Sequence, residues 1–399
     1  MNIRIGGTKM QFNLLLFLFL LIIISCHNES PRGAIIDLDK ATDVSSSRNS
    51  LSSLIDSYRI IQLESSSDCI LGRINKIVKA NSLFFIKTSG TELVLFDDSG
   101  NYLRKFGKKG RGPGEYIEIS DFAVNTDGSI VAISSQKDIL FYRVNDGHFI
   151  RKQHLGLYIN SLCYLPNEEI LAQVTQANFL IAHVDTSGNI INSFGSMNRV
   201  LELEQQFEFV RLDNSNFIYR VGETTNFYLY NFQKKSFTKN KIFQGKNTLN
   251  EQELNDELIA AGPDAYLHVG DFLRNHYSIK YIKVLGSNIL ISYLYQGNSS
   301  LLLYNRDKHI KSEFVFRPEE SSNLVDDVLM LSSEVFLQVN AAGSDDNSIL
   351  IYLYPEMIKK YLKGQSINTP QDKDDIYELF DKVKPEDNPL IVEYKFKEI

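Results

Sequence analysis

The chain has 399 residues, a formal net charge of −7, 43% hydrophobic residues and only three cysteines. An acidic balance argues against nucleic acid as a partner, which calls for a basic footprint, and three cysteines exclude a disulfide scaffold, so apolar burial must hold the fold. The length is ample for that, and 20 Tyr with 25 Phe supply aromatic mass suited to strands.

At the N-terminus, Arg4 and Lys9 precede an unbroken apolar run at 14–24 (LLLFLFLLIII), followed by Ser25 and Cys26. The run is too short to span a bilayer, which takes about 20 residues. A charged start, a short apolar core and a small residue before the cut read as a secretory signal. The tail Ile23-Ile24-Ser25-Cys26 resembles a bacterial lipobox, in which Cys26 is lipidated and becomes the first mature residue. An ordinary signal peptide with a chance cysteine is the alternative. Loss of residues 1–25 would take the charge from −7 to −9, because Arg4 and Lys9 leave with them. His27 stands where an aspartate often marks inner-membrane retention, so the resemblance implies the outer membrane. Residues 26–56, rich in Ser, Asn and Asp, read as a flexible tether, and 57–399 as the folded domain.

From residue 93 the pattern LVLFDDSGNYLRKFG recurs: strand, polar turn, strand. Its turn glycines are Gly100, Gly147 and Gly188; Lys235 and Lys308 fill the slot in two later copies and, lacking glycine's freedom, predict turns of another type. A second strand pair accompanies each copy, with turns at Asp127-Gly128, Pro166-Asn167, Asp213-Asn214 and Gly286-Ser287. Four antiparallel strands per unit, at a period of about 40–50 residues, indicate propeller blades. One such sheet cannot bury both faces alone; stacking around an axis does so. The fold class is therefore all-β, a six-bladed β-propeller, with a β-sandwich as the alternative. The sixth blade draws on 334–340, 348–354 and 389–396, and the early strand 58–64 pairs with it to close the ring. Helical insertions fall near 248–261, with Thr248 and Glu251 as a capping box, and near 355–383.

The stretch FGKKGRGPGEYIEISDFAVNTDGSIVAISSQKDILFYRVNDGHFIRK resembles an NHL-type repeat. Together with the segment at Cys26, YRIIQLESSSDCILGRINKI and EDNPLIVEYKFK, it makes the chain from 57 to 397 similar to the six-bladed propeller lipoproteins of certain Gram-negative bacteria. The resemblance implies fold and location more than activity.

The glycine-rich connector 107–116 (GKKGRGPGEY) crosses a face of the propeller towards the axis. One reading makes it a rim site for an anionic or sugar ligand: Lys108, Lys109 and Arg111 supply charge, Arg111 as a fork donor, with Glu115 alongside and Tyr116 as a stacking surface. The other is structural: the glycines let the chain cross while Arg111 and Glu115 pair to pin the loop. The run is no Walker loop, lacking GK[ST] and a following helix. The seven histidines show no convincing ligand spacing, so no metal and no cofactor is expected. Acidic turns at 97–100 and 344–347 read as turn formers rather than calcium sites. Cys69 and Cys163 lie in apolar strand contexts and could be buried thiols or one disulfide. No catalytic constellation is legible, which favours a non-catalytic envelope protein binding a glycan, a peptide or another envelope protein, held to the membrane only by its lipid. The alternatives are a propeller enzyme, a lyase or glycan-processing hydrolase with its site on the axis, and an assembly factor acting through the inserted helices.

Overall fold

The computed structural model describes residues 36–37, 42–43, 54–195, 207–221, 226–241, 243–244, 247–249, 251–262, 272–315, 348–364, 380 and 382–397. Strands that alternate their side chains between two neighbours, rather than between core and water, dictate the architecture. In strand Leu83–Thr88, Phe84 and Ile86 enter one apolar layer and Phe85 the layer on the other side. Both faces are covered, so the strand reads as a nearly continuous apolar run. Stacked sheets of this kind close into a six-bladed β-propeller of antiparallel blades.

Blade 1 comprises Ile74–Ala80, Leu83–Thr88, Leu93–Asp97 and Tyr102–Lys105; blade 2 comprises Asp121–Val124, Ile130–Ser135, Asp138–Arg143 and Phe149–His154. Blade 3 holds Tyr158–Tyr164, Ile170–Thr175, Ile181–Val184 and Ile190–Phe194, and blade 4 holds Phe207–Arg211, Asn216–Val221, Asn226–Asn231 and Ser236–Lys241. Blade 5 is Ser278–Leu285, Asn288–Tyr295, Asn298–Asn305 and Ile310–Val315. In blade 6, Ser348–Leu353 pairs with Leu390–Phe396, which pairs with Ile55–Gln62; the expected strand at 334–340 lies outside the described residues. The first strands of blades 2, 3, 4 and 5 touch in succession, which places them innermost.

The hairpin turns fall where the turn residues put them. Asp97, Asp127, Asp185 and Asp213 each accept backbone N–H groups two or more residues on, so these carboxylates are spent on the turn itself. Lys235 departs from expectation: it adopts the left-handed conformation at φ 47°, as the glycines do, while in the blade 5 turn His309, not Lys308, takes it. The first inserted helix, α1, spans Glu251–Ala261 and ends at Gly262, φ 60°. It begins at Glu251, the second member of the expected capping box, while the backbone of Thr248 bridges to Tyr277. Leu254 and Leu258 bury one side of α1, leaving Ile259 exposed, so it carries no apolar stripe; helix α2, Pro355–Gly364, buries Ile358. The remainder of the second expected helix, 374–383, is described only at 380 and 382–383. Within the expected tether, Ile36–Asp37 pairs parallel with Phe243–Gln244, and Thr42–Asp43 with Ile310–Lys311. Cys69 and Cys163 are free thiols.

Closure is the costly step, and two sets of contacts hold it. Arg59 and Glu393 stand directly opposite on paired strands. Glu393, 1% exposed, accepts from Arg59 Nε at 2.5 Å and from Lys79 Nζ of blade 1 at 2.7 Å. Ser348 Oγ adds a third bond to Glu393, and Arg59 reaches on to Asp98 of blade 1. Asn388 is the second latch: its Nδ2 donates to the carbonyls of Glu64 and Cys69 while its Oδ1 accepts from Leu71 N.

Burial alone would raise the Glu393 pKa, but its hydrogen bonds to Lys79 and Arg59 outweigh it and hold the carboxyl below its usual range. A carboxylate depressed in the native state stabilises above its unfolded pKa, near about 4.3, and loses that contribution as pH falls through the folded value. Glu393→Ala leaves Arg59 and Lys79 with Asp98 as their remaining partner, with an expected loss of about 1–3 kcal/mol in denaturant unfolding at pH 7. The wild-type midpoint should fall below about pH 4.5, and that of the variant should fall less.

Candidate functional site

Two places gather polar groups: the predicted rim connector and the axis. In the connector, Lys108–Lys109 pairs parallel with Glu115–Tyr116, drawing 108–116 into a tight loop. Gly107 sits at φ 62°, and a Cβ there would lie 2.6 Å from Tyr142 Oη and 2.8 Å from the Tyr116 ring, so only glycine fits. The Glu115 carboxylate closes the loop from within, accepting from Gly112 N at 2.8 Å and pairing with Lys108 at 3.2 Å. The Gly112 bond and then Lys108 keep its pKa below the usual carboxylate range. The pinning partner is thus Lys108 and the loop backbone, not the Arg111 side chain.

Lys108, Lys109 and Arg111 are exposed, and Arg111 makes no ion pair among the described residues. Tyr116 is not a stacking surface. Its ring is 3% exposed in the layer between blades 1 and 2, its hydroxyl donates to Phe106 O, and burial pushes its pKa up to about 12. The pairing with Lys109 turns it inward, where the apolar layer takes the ring. The rim therefore offers three cations but no aromatic platform.

The axis holds a cavity of about 330 Å³, walled by the first strands of blades 1 to 5. Val78, Phe122, Val210, Ile282 and Val284 give it apolar walls; Lys76, Arg211, Lys283 and Arg306 bring positive charge, with Asp213 among the lining residues. It extends to the turns after the first strands, at Thr126, Asn214 and Gly286. The glycine-rich connector meets the other end of the blade 2 first strand, so rim and cavity are separate sites. Lys76 Nζ bonds Asp121 Oδ1 at 2.6 Å and Phe122 O at 2.8 Å, while the second Asp121 oxygen accepts from Leu162 N at 2.9 Å. Asp121 is therefore saturated by the walls. Behind Lys76, the directly opposite Lys87 is buried, and desolvation pulls its pKa below the ordinary lysine value, with Lys76 acting in the same sense and Asp121 against it.

Cys163 also lines the cavity, so it is neither a disulfide partner nor a simple core residue. Burial pushes its thiol up to about 12, opposed by both Lys76 and Arg211, whose fields converge on the sulfur. A thiol so raised stays protonated at neutral pH and is a poor nucleophile. Among the described residues no group of three His, Cys, Asp or Glu could hold a metal. The buried His183 is engaged elsewhere, by Glu169 at 2.6 Å and Tyr230 at 3.1 Å between blades 3 and 4. Reading the sequence for loops and motifs passed over the axial cations; the first strands of blades 1, 4 and 5 do carry basic residues, but those of blades 1 and 5 hold two lysines each, only one of which lines the cavity.

Over residues 34–395 the sequence matches the family model described as Domain of unknown function (DUF4934), and the chain belongs to that family. No curated protein matches it. Among solved structures it is similar to a Bacteroides fragilis protein assigned as exported, at 16% identity and TM-score 0.69, over 92% of this chain and 100% of that one. A member of the DUF4221 family from Bacteroides vulgatus aligns at 10% identity and TM-score 0.49, over 86% and 97% of the two chains. At such identities the similarity to the first speaks to the fold.

The two roles within the connector separate by mutation. Gly107→Ala forces a left-handed residue against Tyr142 and Tyr116 and should cost about 1–3 kcal/mol. Arg111→Ala removes an exposed, unpaired side chain and should change stability by less than about 0.5 kcal/mol. Chemical denaturation of both variants beside wild type checks the pair.

Proposed function

We propose that the chain is an exported, lipid-anchored propeller that holds a small ligand in its axial cavity without transforming it. The cavity carries this reading. At about 330 Å³ it falls within the usual range for small-molecule sites, about 300–1,000 Å³, and it combines apolar walls with a few convergent polar groups. Its ionisable groups do not form a poised acid–base pair: Lys76 is committed to Asp121, and the Cys163 thiol is raised to about 12. Export is supported by the N-terminal apolar run before Cys26 and by the assignment of the Bacteroides fragilis structure as exported. In this reading Cys26 carries the lipid, the outer membrane is the destination, and the blades are divergent NHL-type repeats. The exposed Lys108, Lys109 and Arg111 supply a secondary contact for the glycan, peptide or envelope protein to which the ligand belongs.

One observation favours the enzyme reading: ionisable side chains do converge on the axis, as a lyase or hydrolase would require. A ligand recovered unchanged after prolonged incubation speaks for binding, and turnover for the enzyme.

The test is a thermal-shift screen of the full-length protein against small glycans, short peptides and organic acids, with Thr126→Trp in parallel. Thr126 is exposed at the cavity mouth, so an indole there narrows the entrance. A ligand specific to the native state raises Tm with its saturation. The expected result is a shift in wild type that Thr126→Trp abolishes; a shift of equal size in the variant overturns the cavity reading. Independently, Cys26→Ser should move the protein from the membrane fraction to the soluble one, and retention in the membrane would refute the lipid anchor.

A further inference from the structure

We infer that the axial cavity selects a small organic carboxylate, gripped by Arg211 and Arg306 with Lys76 behind them; this rests on the cavity being the ligand site. The charge contrast points there first. The chain as a whole is acidic, at −7, yet four basic residues line this enclosed space. Both acidic groups beside it are already consumed. Asp121 is held by Lys76 and Leu162 N, and Asp213 accepts from the backbone N–H of Ser215 and Asn216. Asp121 is neutralised by Lys76, and Asp213, which keeps its charge, has its oxygens committed to the turn.

The two guanidinium groups are under-used. Arg211 donates only to neutral oxygens, Asn214 Oδ1 at 2.9 Å and Asp213 O at 3.4 Å, and makes no ion pair among the described residues. Arg306 gives one Nη to Gly286 O at 2.7 Å and makes no ion pair among the described residues. Guanidinium forks match the planar carboxylate in two parallel bonds, which a point charge does not. The apolar remainder, Val78, Phe122, Val210, Ile282 and Val284, suits a carbon body rather than a bare inorganic ion.

The experiment is calorimetric titration of the full-length protein with glucuronate and with citrate, against glucose as the neutral control. Wild type is compared with Arg211→Met, which keeps the length and removes the fork, with Arg306→Met, and with Thr126→Trp. At least one of the two acids should bind while glucose does not, and each Arg→Met change should raise its Kd at least about tenfold, since bonds to a charged partner are worth about 1.5–3 kcal/mol. Preference for glucuronate over citrate identifies a sugar acid, and the reverse a non-sugar acid. Binding of neither acid to wild type overturns the inference, as does binding that both Arg→Met variants leave unchanged. Far-UV circular dichroism excludes misfolding, and Arg211→Lys supplies a second variant that retains charge but loses the fork; it should bind more weakly than wild type. If only neutral ligands bind and Thr126→Trp blocks them, the cavity stands as the site and the carboxylate inference falls. If an acid binds Thr126→Trp as well as wild type, both fall.

Discussion

A propeller is a ring, and a ring of stacked sheets is only as stable as its seam. Here the seam is the antiparallel pairing of Ile55–Gln62 with Leu390–Phe396, which joins residues more than three hundred positions apart. Apolar contacts across it resemble those between any two blades. What distinguishes it is the buried carboxylate of Glu393, shared by Arg59 on its own sheet, Lys79 on the next blade and Ser348. A buried ion cluster of this kind contributes less to stability than its Coulomb attraction suggests, because desolvation takes most of it back. Its directionality matters more. The register that aligns Arg59 with Glu393 also aligns Ile61 with Ile391, and a slip by one residue would lose both.

The rest of the architecture follows from that closure. Once the ring is shut, each strand is covered on both sides, and the layers between blades take Phe, Tyr, Ile and Leu in turn. Between blades 4 and 5 the buried Arg220 adds a polar tie, donating to the carbonyls of Ile279 and Lys280. The first strands, crowded at the centre, cannot fill the axis with apolar bulk from five directions, and the residual space is the cavity. Its charge is thus carried by the positions that the fold leaves uncovered.

The blades were legible because their punctuation is local. Asp-Gly and Ser-Gly turns encode themselves within four residues, and the residues at 58–64 and 389–396 read as strands that needed partners. One local reading missed: Lys235 takes the left-handed conformation that the turn demands although it is not glycine. The axial cations were illegible for a different reason. The first strands of blades 1, 3 and 5 each carry an irregularity near the start, between Ile74 and Lys76, Ile159 and Ser161, and Ile279 and Tyr281. A bulge inserts one residue and reverses the alternation beyond it, so a period-two reading does not say which of Lys76 or Lys79 faces the axis. Tyr116 was misjudged for a related reason: its pairing with Lys109 is a tertiary fact that a glycine-rich loop sequence conceals.

Three described pieces of the N-terminal segment join strands that are distant in sequence. Residues 36–37 pair beside blade 4, 42–43 form the outer edge of blade 5, and 55–62 complete blade 6. Such cover blunts edge strands that would otherwise invite pairing with other chains. It also imposes an order in time. The strand Ile55–Gln62 finds its ladder partner only when Leu390–Phe396 has been made, so the ring cannot shut before then. Contacts of such long separation form slowly, and until the second strand of the pair arrives the inner blades stand as an open arc with one uncovered face at each end.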